Sequence, residues 1–287
     1  MVNSNPDGDA AWVAVVGAAG RTGRVVIAAL AGRGIPVRAV VRSAAAAERA
    51  AAAGASSTVI GDLTAPSSLR DAFDGADTVH VLPPAFNQAE ESLVGNALDA
   101  AAAVGVRLFG YHSVLQPDDP HLPHHLRKHR AELRIRQGPL PWVILRPAMY
   151  AQTAQSLLGG DEPQLPFGGR GRFSPIDLLD VAEATAVVLT DRAYAYGAYE
   201  LAGPDVLTMA DMSALVTGSR PATEPRAAAE TLRDRGTMTW AAISDLAAMF
   251  AHYESHGLFG SPSVAGHLLG RAPTAFANVV KRSTVDG

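Results

Sequence analysis

Residues Trp12 to Gly23 read WVAVVGAAGRTG, and the order of residue types in this stretch decides the fold. An apolar run ending at Val16 passes directly into the turn Gly17-Ala18-Ala19-Gly20-Arg21-Thr22-Gly23. Arg21 to Arg33 then places Val25, Val26 and Leu30 on one side of a helix. A second apolar strand, Pro36 to Val41, completes a strand–helix–strand unit. Outward from it, strands are predicted at Thr58 to Ile60, Thr78 to Leu82, Val106 to Tyr111 and Trp142 to Leu145. Helices are predicted over Ala44 to Ala53, Ser67 to Phe73, Gln88 to Val104 and His124 to Gln137. Alternation of this kind implies right-handed crossovers, and uninterrupted apolar strands are those buried on both faces. The expected class is therefore α/β, a Rossmann-like parallel sheet with helices on both faces.

After Pro147 the rhythm changes. Gly159 to Arg172 reads as a loop, Leu178 to Leu189 and Met209 to Val216 as helices, and Ala198 to Leu201 as a late strand. From Ala227 the chain reads as mainly helical, ending with the segment His256 to Phe276. The expected division is a nucleotide-binding lobe over residues 1–150 and a smaller, mostly helical substrate-binding lobe over 151–287, packed on the first.

Composition narrows the chemistry. With 48% apolar and 18% charged residues the chain is ordinary globular material, and a net charge of −4 offers no general attraction for nucleic acid. There are no cysteines, which excludes disulfides and thiolate chemistry. The start, Met1 to Ala10, lacks a basic leader, and no apolar run reaches the ~18 residues of a membrane span. A cytoplasmic protein without a membrane partner is expected, and a homodimer is compatible with the chain. Only two of the cations are lysines, Lys128 and Lys281, so each stands out against an arginine background.

Gly17, Gly20 and Gly23 are spaced GxxGxxG between a strand and a helix. Glycines there permit a sharp turn, close approach of backbone to a diphosphate, and tight helix–strand packing. The helix start offers free N–H groups and a partial positive charge. Ala19, Arg21 and Thr22 complete the candidate cradle. The second strand ends Arg42-Ser43 with no carboxylate, so a 2′-phosphate fits this corner better than a ribose diol. NADP(H) is favoured, with NAD(H) as the alternative. Asp62 and Leu63 after the third strand, and Leu82, Pro83 and Pro84 after the fourth, are candidate walls for adenine and the nicotinamide ribose.

Taken together, VVGAAGRTG at Val15, VVRS at Val40, GDL at Gly61, YHSV at Tyr111 and HHLRKHRAE at His124 form a pattern that continues through WVILRPAMY at Trp142, IDLLDVAEA at Ile176, ELAGPDVLT at Glu200 and HGLFGSPSVAGHLLGRAPTAF at His256. The pattern resembles the NmrA-like branch of the atypical short-chain dehydrogenase/reductases. That resemblance implies a nicotinamide cofactor and a small C-terminal substrate lobe. Among such proteins are quinone and carbonyl reductases, enzymes that tailor aromatic polyketides by reduction or oxygenation, and nucleotide-sensing regulators without turnover. An NAD(P)H-dependent oxidoreductase on a small aromatic carbonyl or quinone is the first expectation; a non-catalytic NADP(H) sensor is the alternative.

The resemblance also implies a Tyr-xxx-Lys pair with a serine. Lys128 fits the lysine and Ser113 the serine, but His124 stands where tyrosine is expected. The candidate catalytic residues are thus Ser113, His124, Lys128 and Tyr150, with His124 or Tyr150 as proton donor and Lys128 also on the ribose. A lysine on the surface paired with Glu132 is the competing reading. His125 and His129 have metal-binding spacing, yet Arg127, Lys128 and Arg130 surround them, and no metal is expected. Asp177 and Asp180 read as helix caps.

Overall fold

The computed structural model describes residues 11–158, 170–218 and 238–285. Seven strands form one parallel sheet in the order β3-β2-β1-β4-β5-β6-β8. They are β1 (Val13–Val16), β2 (Val37–Val41), β3 (Ser57–Ile60), β4 (Thr78–Val81), β5 (Leu108–His112), β6 (Trp142–Pro147) and β8 (Gly197–Leu201). Between them run α1 (Arg21–Gly32), α2 (Ala44–Ala52), α3 (Pro66–Phe73), α4 (Glu90–Ala103), α5 (Pro123–Arg136), α6 (Ala151–Leu158) and α7 (Leu178–Thr190). A short antiparallel pair joins β7 (Arg172–Phe173) to β9 (Leu207–Thr208). Helices α8 (Met209–Thr217), α9 (Trp240–Ser255), α10 (Ser263–Leu269) and α11 (Phe276–Val285) complete the described chain.

Strand alternation explains the two layers. On β1, Val13 and Val15 join one apolar cluster with α1 and α7, while Ala14 and Val16 join the other, beneath α3, α4 and α5. All four are buried, which is why the strand reads as a solid apolar run. The sheet reverses its order between β1 and β4, and the carboxyl ends of those strands open there as a crevice.

The late strand expected at Ala198 to Leu201 is β8, which pairs in parallel with β6 and so joins the main sheet, while α7 packs on α1. The segment His256 to Phe276 is only partly helical. Gly257, at φ +69°, breaks it, Leu258 bridges to Phe173, and helix resumes only over α10. The loop expected over Gly159 to Arg172 falls largely outside the described residues, as do the polar start Met1 to Ala10 and most of the stretch from Ala227 to α9. No helix among the described residues is long and apolar enough to cross a membrane.

Asp177 does cap α7, accepting from Leu179 N, and also holds Arg282 of α11. Asp180 does more than complement a helix start. It accepts from Thr274 N and pairs with Arg271, tying the C-terminal segment to the helix that covers the sheet.

Candidate functional site

The three turn glycines have different work. Gly17 sits at φ +79°, and a Cβ there would meet the Leu82 carbonyl at 2.3 Å. A Cβ on Gly23 would meet the Gly17 carbonyl at the same distance. Both therefore let backbone pack on backbone. Gly20 caps α1 with no side-chain acceptor, and its nearest neighbour to an added Cβ is the Gly17 carbonyl at 3.3 Å. Gly20 and Arg21 are exposed, Ala19 and Thr22 half-buried. The start of α1 thus presents first-turn amides without a side-chain cap at the β1/β4 crevice. This is the arrangement a diphosphate requires, so the residues present fit a dinucleotide.

Around that point, Arg42 is exposed, and the Ser43 hydroxyl accepts from Ala46 N as the cap of α2. Asp62 holds its own turn, accepting from Thr64 N and Oγ1, and these bonds lower its pKa. The Leu63 and Leu82 side chains are buried in the core, on opposite faces of the sheet, leaving Pro83 and Pro84 at the surface of the rim.

The four expected catalytic residues have different partners. Lys128 is buried, with Nζ 2.8 Å from Glu90 Oε1 and 3.3 Å from the His112 carbonyl. Its partner is Glu90, not Glu132, and it is no surface lysine. Tyr111 donates to the same Glu90 oxygen at 2.7 Å. Ser113 donates to Glu132 at 2.5 Å, and Arg146 clamps that carboxylate with two further bonds. Ser113 and Lys128 are thus each held by a buried carboxylate, Glu132 and Glu90 respectively. His124 is buried with its ring 4.4 Å from Phe86, and burial drives its pKa down to about 2. It carries no acidic proton near neutrality, so the role of imidazolium donor does not fit it.

Tyr150 does reach the crevice. Its hydroxyl lies 2.5 Å from His112 Nε2. Burial pushes its pKa up to about 12, while burial and the nearby His80 and Lys128 hold His112 well below its usual value. The pair is thus a neutral phenol beside a neutral imidazole. Arg21 donates to Thr153 at 2.7 Å, so the first turns of α1 and α6 are joined across the crevice mouth. His112 escaped the sequence reading because it sits within an apolar strand; its place in YHSV, one residue before Ser113, was the available signal.

Two non-glycine residues of the rim loops have left-handed backbone, Phe86 at φ 57° and Gln116 at φ 52°. Such conformations cost of order 1–3 kcal/mol and collect at working sites. Gln116 uses its turn to aim a carbonyl at His125 Nδ1, whose other nitrogen meets Tyr253 Oη. With both nitrogens engaged, His125 is not half of a metal pair with His129.

Fold and crevice together define a Rossmann-like protein built to hold a dinucleotide-sized ligand at the head of its first helix. The chain belongs to the NmrA-like family, whose model matches residues 9–275. Among curated proteins it is 28% identical to an NAD(P)H azoreductase of Xenophilus azovorans, over 72% of this chain and 73% of that protein. It is 25% identical to quinone oxidoreductase 2 of Escherichia coli, over 71% and 73% respectively. The triphenylmethane reductase of Citrobacter sp., solved with NADP(H), superposes with a TM-score of 0.80 at 23% identity, covering 94% of this chain and 99% of that one.

Proposed function

We propose that this protein is an NAD(P)H-dependent oxidoreductase that reduces a small aromatic carbonyl, quinone or related acceptor, with NADP(H) preferred. The observation that carries the reading is the uncapped start of α1 facing the Tyr150–His112 pair across one crevice. The reductase activities of the relatives support it. Arg42 and Ser43 would receive the 2′-phosphate, Arg42 through its planar fork. The bound nicotinamide supplies a hydride. An acceptor oxygen that gains electron density needs a proton or a hydrogen bond, and the Tyr150 hydroxyl would give one. Its high pKa keeps it protonated, and His112, held neutral, fixes its direction. The half-buried Phe86, packed on His124, offers a flat apolar wall against which a planar acceptor can lie. An aromatic polyketide is one such acceptor, and the residues after 150 would complete its enclosure.

The test is NADPH oxidation by purified protein against a panel of naphthoquinones and aryl ketones. Quinone-dependent turnover is expected, and Tyr150→Phe should lower kcat by about 10²–10⁴-fold, the span of general acid catalysis. Tight NADPH binding with no turnover across the panel would overturn the reductase reading in favour of a nucleotide sensor.

A further inference from the structure

A second cluster of ligating side chains lies away from the crevice, where the loop after β5 meets α9. Asp119 and His121 come from the loop and His252 from the last turn of the helix. The two Asp119 carboxylate oxygens are divided between the imidazoles: Oδ1 lies 3.1 Å from His121 Nδ1, and Oδ2 lies 3.1 Å from His252 Nε2. One ligand atom from each of the three residues falls within 4.8 Å of the others. A tetrahedral ion with bonds of ~2.0–2.1 Å sets its ligand atoms ~3.3 Å apart, so a modest inward adjustment would bring the three into one coordination shell.

The surroundings are organised for the same end. The His121 main-chain N–H donates to Asp119 Oδ1 at 2.8 Å, fixing the carboxylate before any ion arrives. The His121 and His252 rings stack at 5.5 Å and 18°, and His256 stacks on His252 at 4.4 Å and 11°. Asp119, His121, His252 and His256 line one open hollow of about 440 Å³, together with Asp118. Asp118 is exposed there and adds a second negative charge near the ligands.

We infer that Asp119, His121 and His252 form a binding site for a borderline divalent transition-metal ion, zinc in the first instance, that clamps the β5–α5 loop to α9. Two imidazoles and one carboxylate leave a fourth position for water, the pattern of an open and exchangeable zinc site. The ligands come from parts of the chain 131 and 133 residues apart, so the ion would tie the β5–α5 loop to the C-terminal helices. It takes no part in the hydride chemistry proposed above, and the two readings stand separately.

The experiment uses the full chain without a histidine tag, stripped with chelator and dialysed. Cobalt(II) titration is followed by visible absorption, with zinc uptake measured by equilibrium dialysis and elemental analysis. One ion per chain is expected, with a rise in Tm on zinc addition. His121→Ala removes a ligand whose side chain is 73% exposed, so folding should tolerate it. Affinity should fall by on the order of 100-fold or more, since even outer-sphere partners of ligands are worth 10–100-fold. The exposed His267→Ala serves as the control and should bind as the wild type does. Absence of stoichiometric uptake overturns the proposal. So does uptake that both His121→Ala and Asp119→Asn retain.

Discussion

Replacing Lys128 by methionine separates two accounts of the same residue. If lysine holds the nicotinamide ribose, its loss weakens NADPH binding and leaves the fold alone. The structure assigns the ammonium instead to Glu90, with side chains 9% and 0% exposed. Methionine fills similar volume but strands the Glu90 carboxylate among apolar groups, with only Tyr111 still donating to it. Breaking a buried pair by removing one partner costs about 3–5 kcal/mol, which for a chain of this size lowers Tm by about 5–8 °C. The second half of the test is the double variant Lys128→Met with Glu90→Gln, which removes the orphaned charge and should recover most of the loss. Thermal denaturation by circular dichroism reads both, and calorimetric NADPH titration runs in parallel. A single variant that melts within a degree or two of wild type while losing NADPH affinity refutes the assignment and restores lysine to the cofactor.

Gly20→Asp and Gly23→Ala should behave oppositely. Aspartate is a good cap for α1, so stability holds, but a like charge ~4 Å from the diphosphate costs about 4 kcal/mol and should weaken NADP(H) by about 1,000-fold. Alanine at Gly23 collides with the Gly17 carbonyl and should lower Tm even without ligand. Arg42→Ala should weaken NADPH by about 10–150-fold, the worth of a charged hydrogen bond, and leave NADH unchanged, as competition binding will show. Acid sensitivity follows from the buried histidines. His80, His124 and His125 are driven down to about 3, 2 and 4, and His112 also falls, so each is neutral when folded and takes a proton on unfolding below its ordinary value of 6.5. Their contribution is intact above pH 6.5 and is lost as pH falls below it, each adding up to about 1.4 kcal/mol per pH unit to the slope. Denaturant titrations between pH 7 and 5 check the sign.

What could be read without coordinates was what local chemistry determines. The β1 run, the glycine spacing and the alternation of strands and helices depend on neighbours in the chain, and they defined the sheet and the cradle at α1. Burial is not local. Nothing in HHLRKHRAE distinguishes an inward Lys128 from an outward one, because the helix has basic residues on every side. The answer came from Glu90 on α4, 38 residues away. The His112–Tyr150 contact spans the same separation and joins the ends of adjacent strands. The surroundings of His124 were hidden for a related reason: its spacing to Lys128 is visible, but the Phe86 ring beside it is not.

The place of β8 bears on how the chain is made. Its hydrogen-bonding partner β6 ends at Pro147, yet β8 does not begin until Gly197. On the ribosome, the outer rail of β6 must wait, unpaired, while some fifty further residues are synthesised. An open strand edge of this kind invites pairing with other nascent chains. Premature termination between those two strands would therefore leave a product prone to aggregate rather than a smaller folded protein.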